Sequence, residues 1–218
     1  MGETSLHESI KHWYTKPGDK VEAWIDGYLI DIVRDNMLIE IQTGGFSAIR
    51  DKLTKLIKNH RVLLVHPVAH QKWIVRLNLQ GERMSRRRSP RRGRLEDLFL
   101  ELVYMPSLLK DPNMSIAVLL VHSEEVLIDD GKGSWRRRGW SVKDKRLIKV
   151  VDQIIYQDPS DLLELLPKDL QQKFTNRELA EALNLRLAIA QKMTYSLSRM
   201  EVIVAAGKRG KATLFTIA

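Results

Sequence analysis

The chain contains no cysteine in its 218 residues. That excludes disulfides, thiolate metal sites and a cysteine nucleophile, and it is compatible with a reducing cytosol. Long apolar runs are missing too: stretches such as Ile116 to Val121 fall far short of the ~20 residues a membrane helix needs. The first 16 residues mix Glu3, His7, Glu8, Lys11 and His12 with few apolar side chains, so no signal-peptide core is expected there. These absences predict a cytoplasmic protein that does not engage a membrane. No glycine-rich phosphate loop is present, since Gly44-Gly45 lacks the Walker spacing, and ATP is not implied. The histidines supply no metal set. His7 and His12 are five apart, off one helical face, and His60, His66, His70 and His122 lack ligand spacing, so all six read as surface or structural residues.

Positive charge, by contrast, is plentiful. Lys and Arg number 36 against 27 acids, a formal charge of +9, which favours a polyanionic partner. Hydrophobic content of 44% and charged content of 29% are ordinary globular usage, and the length suits one domain with a smaller module. The excess is uneven. Residues 1–79 hold 11 bases and 9 acids, whereas RMSRRRSPRRGR at 83–94 holds seven arginines and no acid. Residues 131–149, around WRRRGW, hold eight bases and one acid, while 98–130 between the two stretches hold one base and six acids. The Arg-rich insertion lacks apolar periodicity and contains Ser85, Ser89, Pro90 and Gly93, which predicts a loop. It is either a solvated linker or, in the reading favoured here, an arm on which Arg86, Arg87, Arg88, Arg91, Arg92 and Arg94 contact phosphates. In the second stretch Trp135 and Trp140 flank Arg136, Arg137 and Arg138, to stack on bases or to anchor a hairpin turn.

The carboxy-terminal pattern is easier to read. Thr175 and Glu178 form a Thr-x-x-Glu capping box, which starts a helix over about 176–183. Leu187 to Met200 predicts a second helix, with Ile189, Met193, Leu197 and Met200 on one stripe and Gln191, Lys192, Tyr195 and Arg199 on a polar outer face. Two alternating runs, Val202 to Ala205 and Ala212 to Ile217, flank GKRGK and read as a hairpin with a basic tip. FTNRELAEALN, the amphipathic helix and GKRGK together resemble the winged-helix DNA-binding family, with an acidic segment from Ser160 to Leu170 as the first helix. The resemblance implies that the Leu187–Met200 helix enters the major groove and that Lys208, Arg209 and Lys211 reach the DNA backbone or minor groove. Winged helices also serve as protein-docking modules, which is the competing reading.

Toward the amino terminus, residues 5–15 predict a helix that Pro17 and Gly18 stop. VEAWIDGYLIDIVRD and NMLIEIQ predict a β-hairpin, residues 46–59 a helix with Lys52, Lys55 and Lys58 outside, and RVLLVHPV a buried strand. A further buried strand is expected at Ser115 to His122 and a helical or mixed segment from Val142 to Tyr156. Asp31 and Glu40 fall inside the hairpin, with Gln42 on the same side of its strand as Glu40. Acids on apolar strands need a reason, and two of them brought together repel unless a cation lies between.

The order helix, hairpin, helix, strand, with YLIDIVRDNMLIEIQTGGF at its centre, resembles the PD-(D/E)XK or restriction-endonuclease-like nuclease superfamily over residues 5–75. Asp31 matches the first acid and Glu40 the second, Gln42 stands where lysine is usual, and Glu8 matches an additional acid on the opening helix. The resemblance implies an α/β fold with a mixed central sheet, and Mg²⁺ or Mn²⁺ held by Asp31, Glu40 and Glu8. Gln42 then orients water, and Lys52 supplies the missing ammonium if it leans over the site. The expected protein is a nucleoid-associated DNA endonuclease acting on double-stranded or branched DNA, with a nuclease-like domain at 1–157 and a winged helix at 158–218. A homodimer would serve a double-strand cut. The alternative is a DNA-binding regulator whose nuclease-like fold does not cut.

Overall fold

The computed structural model describes residues 4–135 and 139–218. Arg136, Arg137 and Arg138 lie outside the described residues. The chain forms a mixed α/β architecture, a large mixed sheet flanked by helices. Helix α1 (Ser5–Tyr14) leads into three antiparallel strands, β1 (Lys20–Ile25), β2 (Tyr28–Arg34) and β3 (Met37–Ile41). Helix α2 (Phe46–Leu56) then crosses to β4 (Arg61–Leu77), which runs parallel to β3.

The expected hairpin is thus a three-stranded meander. VEAWIDGYLIDIVRD does not run through as one strand. Ile25 pairs with Tyr28 across Asp26 and Gly27, at φ 48 and 80, the left-handed pair that an Asp-Gly hairpin turn demands. Asp35, at φ 49, turns the chain again between Arg34 and Met37.

Past the meander come β5 (Arg83–Arg88), β6 (Met114–Asp129) and β7 (Trp140–Tyr156), giving the sheet order β1-β2-β3-β4-β6-β7 with β5 added to β4. Two expectations change here. Part of the Arg-rich insertion is a strand, antiparallel to β4 from Trp73–Arg88 to Leu77–Arg83. The Val142–Tyr156 segment is also a strand, because β6 offers it an edge along nearly its whole length. The first half of β4 is apolar on both sides, as a strand between two parallel neighbours must be. Pro67 sits in this strand without breaking a ladder. β3 pairs with β4 only as far as Val65 and β5 starts at Trp73, so one edge of β4 is open between them.

Alternation along β3, β4 and β6 divides the core between two faces. Ile39, Ile41, Leu63, Val65, Ala117 and Leu119 pack under α1 through Leu6, Ile10 and Tyr14. Leu38, Val62, Leu64, Ile116 and Val118 pack under α2 through Phe46, Leu53 and Leu56. This second core does not end at the sheet. It runs through Leu98 and through Phe99 and Leu102 of the short helix α3 (Phe99–Leu102) into the carboxy-terminal segment.

That segment contains α4 (Asn176–Ala182), α5 (Leu187–Arg199), β8 (Ile203–Arg209) and β9 (Ala212–Ile217). Thr175 caps α4 with Glu178 reaching back to the Thr175 N–H at 2.8 Å, the box the sequence predicts. β8 and β9 form a hairpin, and Phe174 bridges to Phe215 at its side. The expected helix over Ser160 to Leu170 is instead a 3₁₀ segment at Pro159–Leu165, capped by Asp158. Leu179, Ile189, Met193 and Leu197 join Leu98, Phe99 and Leu102, so the two parts of the chain share one core.

Candidate functional site

The site begins where two strands separate. The β2–β3 ladder ends at the Ile32–Ile39 pair, which leaves the Ile41 N–H without a strand carbonyl. The Asp31 carboxylate replaces that carbonyl, with Oδ2 accepting from Ile41 N at 2.8 Å. Its Oδ1 lies 3.0 Å from Nε2 of His7, on the first turn of α1.

Glu40 points to the α2 side of the sheet. Its Oε1 is 2.6 Å from Lys52 Nζ, and the same ammonium donates to the Leu29 carbonyl at 2.6 Å. The Leu29 bond is the aligned one. Oε1 is buried and receives Lys52 only as a charge contact, outside hydrogen-bond alignment. Burial drives the Glu40 carboxyl up to about 7, helped by the charge on Asp31 and opposed by Lys52. A carboxylate so placed is expensive to keep charged unless a cation is near.

Three residues predicted from the sequence therefore meet here: Asp31, Glu40 and Lys52. Gln42 does not join them through its amide, which donates to the carbonyls of Gly44 and Gly45 and shapes the turn before α2. The Gln42 carbonyl accepts from Nδ1 of His66 at 2.7 Å, and burial holds this imidazole below its ordinary pKa. A cavity of about 220 Å³ adjoins the turn, lined by Thr43, His66, Lys72, Arg91, Asp97 and Glu101 among others, where the edge of β4 is open.

Glu8 has a partner on its own helix. It pairs with Lys11 at 2.8 Å, and Lys11 also holds Glu22 at 2.6 Å, so α1 presents His7 rather than Glu8 to Asp31. Among the described residues no group of three His, Asp or Glu side chains stands together as a preformed metal set. His7 is the residue sequence reasoning missed. A signal was available: His7 and Lys11 are one turn apart, beside the buried stripe of Leu6, Ile10 and Tyr14, so both face the sheet margin.

Residues 4–157 match a family model described as a domain of unknown function, DUF8091. The chain belongs to that family. It is also similar to an uncharacterized protein of Treponema pallidum (strain Nichols), 29% identical over 180 residues, or 82% of this chain and 72% of the relative. Since 157 residues precede position 158, an alignment of 180 takes in part of the carboxy-terminal segment as well. No solved structure matches.

Within the DUF8091 domain many arginines of the Arg-rich insertion are already engaged. Arg86 lies over the Trp73 ring at 5.0 Å and pairs with Glu124 at 2.7 Å, and Arg91 pairs with Asp97 at 3.0 Å. Arg94 binds Glu96 at 2.6 Å and donates to the Leu183 carbonyl, tying the DUF8091 domain to the end of α4. Arg87, Arg88 and Arg92 are exposed and form no ion pair among the described residues. Beyond the DUF8091 domain, Gln191, Tyr195 and Arg199 are exposed along α5, as its spacing predicts. Lys192 is not part of that outer face. It leans onto the α3 region, 3.3 Å from the Leu100 carbonyl and 5.6 Å from the Tyr104 ring centroid. At the β8–β9 tip Arg209 folds back onto Glu178, while Lys208 and Lys211 are exposed.

Proposed function

We propose that this DUF8091 protein is a metal-dependent DNA endonuclease with a restriction-endonuclease-like fold, whose active site is Asp31, Glu40 and Lys52. One observation carries the reading. Acids from two neighbouring strands stand at the point where those strands part, with a lysine ammonium 2.6 Å from one of them. The order helix, three antiparallel strands, helix, parallel strand supports the same reading.

Asp31 and Glu40 are the residues that would hold Mg²⁺ or Mn²⁺. Glu40 Oε1 is buried without an aligned hydrogen bond, and each Asp31 oxygen has a lone pair beyond its present contact. Mg²⁺ is commonly held by one or two carboxylates, with waters and phosphate oxygens filling its shell, so two acids suffice. Bound there, the ion would polarise the phosphodiester and lower the pKa of water. Lys52 adds a fixed positive charge where negative charge grows in the transition state, and the Leu29 carbonyl holds it in place. His7 fixes the Asp31 carboxylate. The exposed arginines of the insertion and α5 with the basic β8–β9 tip, read as a winged helix, hold the DNA.

Purified protein is expected to nick plasmid DNA with Mg²⁺ or Mn²⁺. Asp31→Ala and Glu40→Ala should remove cutting, and Lys52→Ala should lower it by about 10²-fold, all with DNA binding retained. Equal cutting by wild type and the three variants would sink the proposal. Two observations favour a second reading, a DNA binder that does not cut: the Gln42 amide is held in the turn, and Lys52 already pairs with Glu40. That reading predicts binding that persists in EDTA and no cleavage with any divalent ion.

A further inference from the structure

The β1–β2 hairpin ends in an exposed apolar pair. Trp24 and Leu29 face each other one position inside the Ile25–Tyr28 end pair, exposed to 72% and 45%. Two residues along each strand, Glu22 and Asp31 are held by Lys11 and His7 of α1. The helix covers that position and leaves the indole open.

Two ammonium groups of α2 reach the hairpin end from the face on which Ile25 and Tyr28 pack, opposite the Trp24 and Leu29 side chains. The Lys52 ammonium sits on the Leu29 carbonyl at 2.6 Å, and Lys55 Nζ is 5.8 Å from the Tyr28 ring centroid. A solvent-facing tryptophan suits a nucleic-acid strand through a base stacked on its ring. It also adjoins the acid site, since Leu29 is two residues from Asp31 and shares Lys52 with Glu40.

Magnitudes select the form of DNA. Stacking one base on an aromatic side chain raises affinity by roughly five- to a hundred-fold. Unstacking a base step of intact duplex costs a comparable amount, so an intact duplex gains little from Trp24, whereas DNA with a base already unpaired keeps the whole gain. We infer that Trp24, backed by Leu29, is a stacking platform for an unpaired base beside the cleavage site. The substrate class is then DNA with a junction between duplex and single strand, a flap or an unpaired nucleotide. This rests on the nuclease reading of the adjoining acids.

The test uses the full chain in EDTA, so that binding is read without cleavage. Affinities for a fluorescently labelled duplex and for the same duplex with one unpaired 2-aminopurine are compared by anisotropy. Wild type should prefer the unpaired form by about ten-fold and quench the 2-aminopurine on binding. The ratio should fall to about two or less in Trp24→Ala and stay near wild type in Trp24→Phe. Equal affinities in wild type, absence of quenching, or an undiminished ratio in Trp24→Ala each overturn the platform. So does a wild-type dimer that Trp24→Ala converts to monomer in sedimentation, because the indole would then be covered by a second copy. The two readings fail separately. Cleavage that survives Asp31→Ala while the ratio holds removes the nuclease and leaves the platform, and Asp31-dependent cleavage without a ratio does the reverse.

Discussion

Burying a carboxylate costs free energy whenever it must be charged, and Glu40 is held in that position by its place on β3, beneath α2. Its folded pKa of about 7 lies above the ordinary 4.5. Below pH 4.5 the group is protonated in both folded and unfolded chains. Between 4.5 and 7 the folded protein keeps a proton that the unfolded chain releases, so stability falls as pH rises, and above 7 the cost is complete at ~3 kcal/mol. In EDTA, urea unfolding of wild type should therefore lose ~3 kcal/mol more than Glu40→Gln between pH 4.5 and 8. Parallel pH profiles for the two proteins would show that burial does not raise this group. Asp31 and Glu40 were legible in the sequence because charge on strands of Ile, Leu and Val stands out. His7 was not, since its partner is 24 residues away and only the folded helix brings them together. Gln42 falls just past the end of β3, and the sequence carried no sign that its amide would serve the Gly44-Gly45 turn.

Among the elements, turns decide more than strand propensity does. The meander exists because Asp26-Gly27 folds a run of mostly apolar residues back on itself, and an Asp-Gly pair between alternating residues is a strong short-range hairpin signal. It was hidden by the continuity of the β-branched residues around it. β5 was hidden for another reason, because an Arg-rich run has no apolar period of its own and becomes a strand only by borrowing the open edge of β4. Two glycines separate strain from collision. Gly27 adopts φ 80 with nothing within 4 Å of a would-be Cβ, so Gly27→Ala should cost only the left-handed strain, about 1 kcal/mol. At Gly93 a Cβ would lie 2.5 Å from the Ala69 carbonyl oxygen that its own N–H bonds, so Gly93→Ala must push the covering loop off β4. Thermal unfolding should rank Gly93→Ala well below Gly27→Ala, and the reverse order would contradict this account.

At the scale of the molecule, the split of the sequence pattern and the split of the core do not coincide. The winged-helix pattern is placed from 158, and the DUF8091 match ends at 157. What the sequence did not disclose is that apolar positions on the two sides, Phe99 and Leu102 against Met193 and Leu197, complete each other. Sequence periodicity shows that a helix has an apolar face but not which surface covers it. For DNA binding, the internal pairing of arginines sorts their effects. Replacing Arg87 or Arg88 by Ala should each reduce the slope of log affinity against log salt by about 1, with stability unchanged. Arg94→Ala should lower stability, because Arg94 bonds the Leu183 carbonyl across the two parts. The shared core carries the last expectation. Ending the chain after residue 157 would bare Leu98, Phe99 and Leu102 and take the partner from Arg94, while residues 158–218 alone would expose Ile189, Met193 and Leu197. Each buried side chain of this size contributes about 2 kcal/mol, and a domain has only about 5–15 kcal/mol of net stability in all. Neither fragment should give a soluble protein with a cooperative transition, whereas the whole chain should unfold in one step seen alike by far-ultraviolet circular dichroism and by tryptophan fluorescence. Two separate transitions in the whole chain, or a well-folded 158–218 fragment, would mean that the contact between the parts is dispensable and that the tail folds on its own.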